Sequence, residues 1–119
     1  PNQAIKQSKI NRAIINSSLD KVIFNLPLGL DEYVGERGIK LSGGQMQRIA
    51  IARALYNDPS ILIFDEATSP LDEKTENGIL NSIRKLKEEK TIIIISHRKN
   101  SLKFCNKIYS LKEGKLIIQ

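Results

Sequence analysis

Two short runs of apolar residues, each followed by polar side chains, restrict the fold of this chain more than any other feature. The first run ends in Asp65 and Glu66, and the second, at residues 92–95, is followed one residue later by His97. The stretch between them carries apolar residues at helical spacing over roughly residues 70–89. Strand, helix and strand in this order predict a parallel pair of strands joined by a crossover helix, and therefore an α/β fold.

Periodicity and turn residues predict the remaining elements. They are helices over residues 4–16, 19–26, 43–56 and 99–104, and a C-terminal antiparallel hairpin of strands at 107–111 and 115–118. The helix over 43–56 is predicted to bury Met46, Ile49, Ala50 and Ala54, and the helix over 70–89 to bury Ile79, Leu80, Ile83 and Leu86. Because the strands at 61–64 and 91–95 lack polar interruptions, we expect both of their faces to be covered.

Composition limits the class of protein. With 119 residues, 40% of them hydrophobic and 27% charged, the chain has the make-up of an ordinary globular domain or of part of one. Its longest aliphatic run is too short to cross a bilayer. The single cysteine, Cys105, excludes an internal disulfide and favours a reducing compartment. The chain opens on Pro1 rather than on methionine, and we therefore expect it to be a fragment.

The net charge of +6 raises the possibility of a nucleic-acid partner. Many of the basic residues, however, alternate with Glu88 and Glu89 or are spread along predicted helices, which is typical of solvated helix faces. Only three Tyr and three Phe are present, so the basic residues are not interleaved with aromatic side chains that could stack on bases. We expect no nucleic-acid partner.

Residues 42–45 combine a helix start with two adjacent glycines. Ser42 and Gln45 have the spacing of a capping box, in which the two side chains satisfy each other's backbone amides. A plain helix start would not require Gly43 and Gly44, each of which costs about 1 kcal/mol relative to alanine. Bare amides at a helix N-terminus form an anion site, so this segment predicts close contact with a phosphate.

The polar residues after the two strands are expected to meet at one edge of the sheet, because parallel strands end at the same edge. Asp65 would hold Mg²⁺ directly or through water, and Glu66 would polarise an attacking water. His97 could hydrogen-bond to a γ-phosphate or to that water. Residues 69–72 are predicted to begin the next helix, with Ser69 as N-cap and Asp72 in the first turn.

In this order the motifs resemble the C-terminal part of an ATP-binding cassette (ABC) nucleotide-binding domain of the exporter type. Over residues 33–115 the segment 41–45 (LSGGQ) resembles the family signature, 61–66 (ILIFDE) the Walker B strand with the catalytic glutamate, and 69–72 (SPLD) the D-loop. His97 resembles the switch histidine, and residues 34–38 (VGERG) resemble the X-loop of exporters. The resemblance implies a partial P-loop NTPase fold, with a helical subdomain and signature at 1–57 and the Walker B to H-loop portion of the catalytic core at 58–119.

What the family does is implied in the same way. ATP and Mg²⁺ would be the cofactors, and Ser42, Gly43, Gly44 and Gln45 would clamp ATP held by a second nucleotide-binding domain in a head-to-tail dimer. Asp72 would act in the D-loop between the two sites. The parent protein would be an ATP hydrolase coupled to a transmembrane domain, on the cytoplasmic side of the inner membrane, and would export lipids, glycolipids, peptides or drugs.

The chain also departs from the family pattern, which leaves two alternatives open. It contains no G-x-x-x-x-G-K-[ST] phosphate loop and no assignable Q-loop glutamine, Pro70 replaces a small D-loop residue, and Lys99 and Asn100 replace leucine and serine. One alternative is a soluble ABC ATPase acting on DNA or ribosomes. The other is a truncated, non-catalytic remnant, and for these 119 residues alone we expect no activity.

Overall fold

The computed structural model describes residues 5–69 and 71–119. Its helices are α1 (Gln7–Asn16), α2 (Asp20–Phe24), α3 (Gly43–Leu55), α4 (Glu73–Leu86) and α5 (Lys99–Leu102), with one turn of 3-10 helix at Gly29–Asp31. Its strands are β1 (Ile61–Asp65), β2 (Thr91–Ile95), β3 (Tyr109–Lys112) and β4 (Lys115–Ile118). The predicted element order is confirmed. The predicted start of the first helix at residue 4 and the Pro70 substitution lie outside the described residues.

The central unit is the pair of parallel strands with its crossover helix. β1 and β2 run parallel, from Ile61 opposite Thr91 to Asp65 opposite Ile95, and α4 connects them. β3 and β4 form the predicted antiparallel hairpin. The predicted α/β fold class, with helices first and a hairpin last, is therefore confirmed.

One hydrophobic core joins the N-terminal helices to the strands. Its buried members come from α1, α3, α4, β1 and the segment before α4: Ala13, Ile51, Leu55, Leu62, Phe64, Leu71, Ile79, Ile83 and Leu86. The prediction that α4 buries Ile79, Leu80, Ile83 and Leu86 is confirmed. Each fully buried isoleucine or leucine contributes about 1.5–3 kcal/mol, so α4 is held mainly by this face.

The predicted buried face of α3 is wrong. Met46, Ala50 and Ala54 are exposed, and the residues that α3 buries are Gly44, Ile51 and Leu55. α3 packs with α1 and α4, and close contact with α4 selects the side that carries the glycine rather than the side richest in aliphatic residues.

The expectation that both faces of the strands are covered is also wrong for this chain. Burial alternates along β1, so that Leu62 and Phe64 face the core while Ile61 and Ile63 are 57% and 64% exposed. In β2 the matching residues Ile93 and Ile95 are 46% and 50% exposed. Within residues 5–69 and 71–119 the helices pack on one face of the strand pair, and the other face is an apolar surface.

Candidate active site

The capping box at the start of α3 is present as predicted. Ser42 Oγ accepts a hydrogen bond from the Gln45 backbone N–H at 3.2 Å, and Gln45 Oε1 accepts one from the Ser42 N–H at 2.8 Å. The N–H groups of Gly43 and Gly44, in the first turn of the helix, have no intrahelical acceptor. They remain suited to an anion such as a phosphate.

Replacing Ser42 by alanine should destabilise the domain by about 1 kcal/mol, because the first turn of α3 loses its cap. A lower thermal midpoint of the full-length protein without ATP would report this loss. Ser42→Thr, which keeps a hydroxyl acceptor, is the matched control and should retain most of the stability. Equal midpoints for the alanine and wild-type proteins would contradict a stabilising cap.

The two glycines contact other parts of the same chain, which corrects the reason given for their presence. A Cβ on Gly44, which is buried, would overlap Cγ2 of Thr75 in α4, and a Cβ on Gly43 would lie 3.2 Å from Leu71 Cδ2. Intramolecular packing therefore accounts for Gly44 without a ligand. Gly43 is exposed, and its neighbour is the end of a flexible side chain, so packing does not account for this glycine and the predicted phosphate contact stays a prediction.

The structure brings Glu66 and His97 together at the edge of the sheet, as predicted. The Glu66 N–H continues the strand pairing by donating to Ile95 O at 2.9 Å. Glu66 Oε1 accepts from the His97 backbone N–H at 3.3 Å and lies 3.6 Å from His97 Nε2. The His97 side chain is 98% exposed, so the backbone on either side of it determines where the imidazole lies.

Glu66 has a left-handed backbone conformation, with φ = +48°. This conformation is uncommon for a residue other than glycine and costs about 1–3 kcal/mol, and such strain concentrates at functional sites. Here it turns the chain sharply after β1 and directs the carboxylate toward the end of β2. Ser18, Asp58 and Glu113 share this conformation, so it positions the Glu66 carboxylate but does not by itself mark a functional residue.

Asp65 is exposed at the end of β1, beside Glu66. In the part of the chain that the structure describes, no three His, Cys, Asp or Glu residues come together as a metal site would require. Mg²⁺, however, is commonly bound through one or two carboxylates, with water and substrate phosphates completing the octahedron. An exposed single carboxylate fits that mode of binding, so Asp65 suits an Mg²⁺ ion that arrives with a nucleotide.

The prediction for the start of α4 is wrong in detail. Asp72, not Ser69, is the N-cap: the Asp72 side chain accepts from the Thr75 N–H at 3.1 Å, and the helix begins at Glu73. Hydrogen bonds from Thr75 hold the pKa of the Asp72 carboxyl below its ordinary value. Asp72 therefore has a structural role that is sufficient to explain its presence, and its D-loop role stays a prediction.

The signature segment and the strand edge are connected only indirectly. Among residues 5–69 and 71–119, no hydrogen bond or ion pair joins Ser42 or Gln45 to Asp65, Glu66 or His97. Both regions instead contact the start of α4. The signature glycines lie against Leu71 and Thr75, and Arg98, which follows His97, donates to Leu71 O.

Sequence reasoning missed a buried polar cluster next to Glu66 and His97. The cluster comprises Thr68 after β1, Glu76 in α4, and Arg98 and Ser101 around α5. Thr68 Oγ1 and Ser101 Oγ lie 2.9 and 3.1 Å from Glu76 Oε1, and Arg98 Nη1 lies 3.0 Å from Glu76 Oε2. The only sequence signal was Glu76 on the same face of the helix as Ile79, Leu80 and Ile83, since a charged residue there requires a buried partner.

Comparison with known proteins decides the family. The profile of the ABC transporter family matches residues 2–69. The chain belongs to the ABC transporter family. It is 43% identical over 118 residues to the ATP-dependent lipid A-core flippase 2 of Colwellia psychrerythraea, covering 99% of this chain and 20% of the flippase. It is 45% identical over 108 residues to the ABC transporter ATM1 of Toxoplasma gondii, covering 91% of this chain and 10% of that transporter.

A solved structure agrees with the sequence comparison. The chain is similar to a bacterial Atm1-family ABC exporter with ATP bound, with a TM-score of 0.79 and 40% identity over 98% of this chain and 20% of the exporter. The exporter-type resemblance and the partial ABC ATPase fold predicted from the motifs are therefore confirmed. This ABC transporter segment spans a fifth or less of the length of these relatives. None of the described helices is long and apolar enough to span a membrane.

Proposed function

We propose that this chain is part of the ATP-hydrolysing domain of a membrane exporter. The observation that carries the proposal is the meeting of Glu66 and His97 at the carboxyl edge of the parallel strands, with Glu66 Oε1 3.6 Å from His97 Nε2. Ligands of open α/β sheets bind beyond this edge. The names of the similar proteins, a lipid A-core flippase and an Atm1-family exporter with ATP bound, support both the nucleotide and the transport.

The proposed chemistry is the attack of water on the γ-phosphate of ATP, giving ADP and phosphate. Glu66 would accept a proton from the water, and the exposed imidazole of His97 would hydrogen-bond to the γ-phosphate. Asp65 would hold Mg²⁺, which offsets phosphate charge when it is bound. Ser42, Gly43 and Gln45 would contact the γ-phosphate of ATP on a partner domain through the N-terminus of α3, with Gly44 allowing α3 to pack closely on α4.

Partner domains are part of the proposal. The chain exposes an apolar sheet face, with Ile61, Ile63, Ile93 and Ile95 each about half exposed or more, and such patches mark contacts with other protein. We propose a second nucleotide-binding domain in a head-to-tail dimer with Asp72 near the contact, and a transmembrane domain of the same or another chain. Residues 1–57 would be the helical subdomain and 58–119 the catalytic portion, on the cytoplasmic side of the membrane.

The direct test is ATP turnover by the purified full-length protein in lipid nanodiscs. Turnover should require Mg²⁺ and should be strongly reduced, to a measurable residual rate, in a His97→Ala variant that still binds ATP. The classes of cargo implied by the resemblance are lipids, glycolipids, peptides and drugs, and stimulation of turnover by a panel of them would indicate the class. A well-folded full-length protein that does not hydrolyse ATP would contradict the proposal.

The 119 residues by themselves should not hydrolyse ATP. Their sequence contains no G-x-x-x-x-G-K-[ST] segment to cradle the β- and γ-phosphates. The signature can contact ATP only when such a segment has already bound it. The measurement is phosphate release by the isolated 119-residue chain, with its own Glu66→Gln variant as background. Release above that background would show that the chain carries a complete site.

A further inference from the structure

The segments that carry Glu66 and His97 are held together by a buried polar cluster, whose members Thr68, Glu76 and Ser101 are 4%, 4% and 2% exposed. Thr68 follows Glu66 by two residues, Ser101 follows His97 by four, and Glu76 lies between them on α4. Thr68 Oγ1 and Ser101 Oγ are also within hydrogen-bonding distance of each other, at 3.3 Å. The two site segments thus share one buried carboxylate.

Arg98 connects this cluster to the backbone around it. Its Nη1 donates to Thr68 O at 3.1 Å and to Leu71 O at 3.2 Å, and it lies 3.0 Å from Glu76 Oε2. Arg98 adjoins His97 in sequence, and its own N–H donates to Ser96 Oγ at 3.0 Å. Its guanidinium therefore attaches the backbone on the C-terminal side of His97 to the segment after β1 and to α4.

The ionic part of the cluster is well satisfied. Burial would raise the pKa of Glu76, but hydrogen bonds from Thr68 and Ser101, together with the positive charge of Arg98, lower it below its ordinary value. Glu76 is therefore charged at neutral pH and pairs with the permanently charged guanidinium. Among the described residues, no buried side-chain oxygen or nitrogen lacks a hydrogen-bond partner.

His97 itself has little to fix its position. Its imidazole is 98% exposed and lies near Glu66 Oε1, which also accepts the His97 backbone N–H. The distance from His97 Nε2 to Glu66 Oε1 thus depends on the relative placement of the two backbone segments. Strand pairing through the Glu66 N–H and Ile95 O joins these segments before His97, and Arg98 joins them after it. A catalytic group displaced by about 1 Å can lose about 100-fold in rate.

We propose that Arg98 is a positioning residue for hydrolysis, which acts by holding His97 in register with Glu66 through its contacts with Thr68 O, Leu71 O and Glu76. This rests on the proposed ATPase function of the Glu66 and His97 site. Lysine at this position would keep the charge opposite Glu76. All three contacts are made by one nitrogen, Nη1. The lysine side chain is one bond shorter, so its ammonium would not reach the same point between the two carbonyls and the carboxylate.

The test is a double-mutant cycle in the full-length protein, with Arg98→Lys, His97→Ala and the double variant. In the wild-type background, Arg98→Lys should lower kcat by about tenfold or more, with the Kd for ATP changed by less than about twofold. In the His97→Ala background the same change should alter the residual kcat by less than about twofold, because the group it positions is absent. Arg84→Lys, at an exposed arginine in the last turn of α4, is the matched control and should leave kcat unchanged.

The cycle separates positioning from a merely structural role. If Arg98 only stabilises the fold, Arg98→Lys will lower the thermal midpoint and will reduce kcat equally in both backgrounds, which would overturn the proposal. If Arg98→Lys does not fold, Glu76→Gln, which keeps acceptors for Thr68 and Ser101, replaces it in the same cycle with the same expectation. Failure of the proposed function is distinguishable, because wild-type protein would then show no turnover that His97→Ala reduces.

Discussion

Glu66→Gln in the full-length protein should slow ATP hydrolysis by about 10²- to 10⁴-fold while leaving ATP binding intact. The change removes the carboxylate that accepts a proton from the attacking water, and general-base groups contribute to rates on this scale. A glutamine oxygen can still accept the His97 backbone N–H that Glu66 Oε1 accepts at 3.3 Å, so the strand edge should keep its geometry. The measurements are kcat, the Kd for ATP and the thermal midpoint, together with the accumulation of an ATP-bound dimer.

A second glutamate offers a matched control for this change. Glu113, in the turn between β3 and β4, has the same left-handed backbone, with φ = +48° for both residues, and is exposed. Glu113→Gln makes the same change of charge on the same backbone conformation away from the sheet edge, and should leave kcat unchanged. Near wild-type turnover in Glu66→Gln would remove the catalytic assignment of Glu66, whatever the control shows.

The parts of the fold that the sequence predicted well follow from backbone chemistry and local pattern. Runs of apolar residues rich in isoleucine formed β1 and β2, and helical spacing of apolar residues identified the buried face of α4. Parallel strands end at one edge, so the meeting of Glu66 and His97 could be foreseen from strand order alone. The capping box of Ser42 and Gln45 was also readable, because both partners lie within one turn of the chain.

The errors arose where distant packing decides the outcome. Which side of α3 is buried depends on how closely α4 approaches, and the sequence of α3 does not record that distance. The N-cap of α4 is a different, local case: serine and aspartate are both favoured caps, so composition did not distinguish Ser69 from Asp72, which accepts from the Thr75 N–H. The cluster around Arg98 joins residues up to 33 positions apart, which no local pattern connects.

Gly44 is the position at which sequence and structure lead to opposite experimental expectations. As a plain first-turn residue, Gly44→Ala should stabilise by up to about 1 kcal/mol, because alanine is the better helix former. An acidic residue is favoured in a helix's first turn, so on sequence grounds Gly44→Asp should keep its melting temperature. In the structure Gly44 is buried, and any Cβ at this position overlaps Thr75 Cγ2. Overpacking of this kind costs about 1–3 kcal/mol, so we expect both substitutions to lower the thermal midpoint of the full-length protein without ATP.

Two further substitutions, one at Gly43 and one at Thr75, test whether the contact between Gly44 and Thr75 causes this loss of stability. Gly43→Ala should be neutral or slightly stabilising, because its Cβ would meet only the end of the Leu71 side chain, at 3.2 Å. Thr75→Ser, which deletes the overlapping methyl, should restore most of the midpoint lost in Gly44→Ala, and a stable Gly44→Ala protein would contradict the packing account.

Because Gly44 variants combine a packing defect with any loss of phosphate binding, the phosphate role is better tested at exposed Gly43. Gly43→Asp should keep the midpoint, since an acidic residue is favoured in a helix's first turn, but should lose ATP-driven dimerisation and hydrolysis.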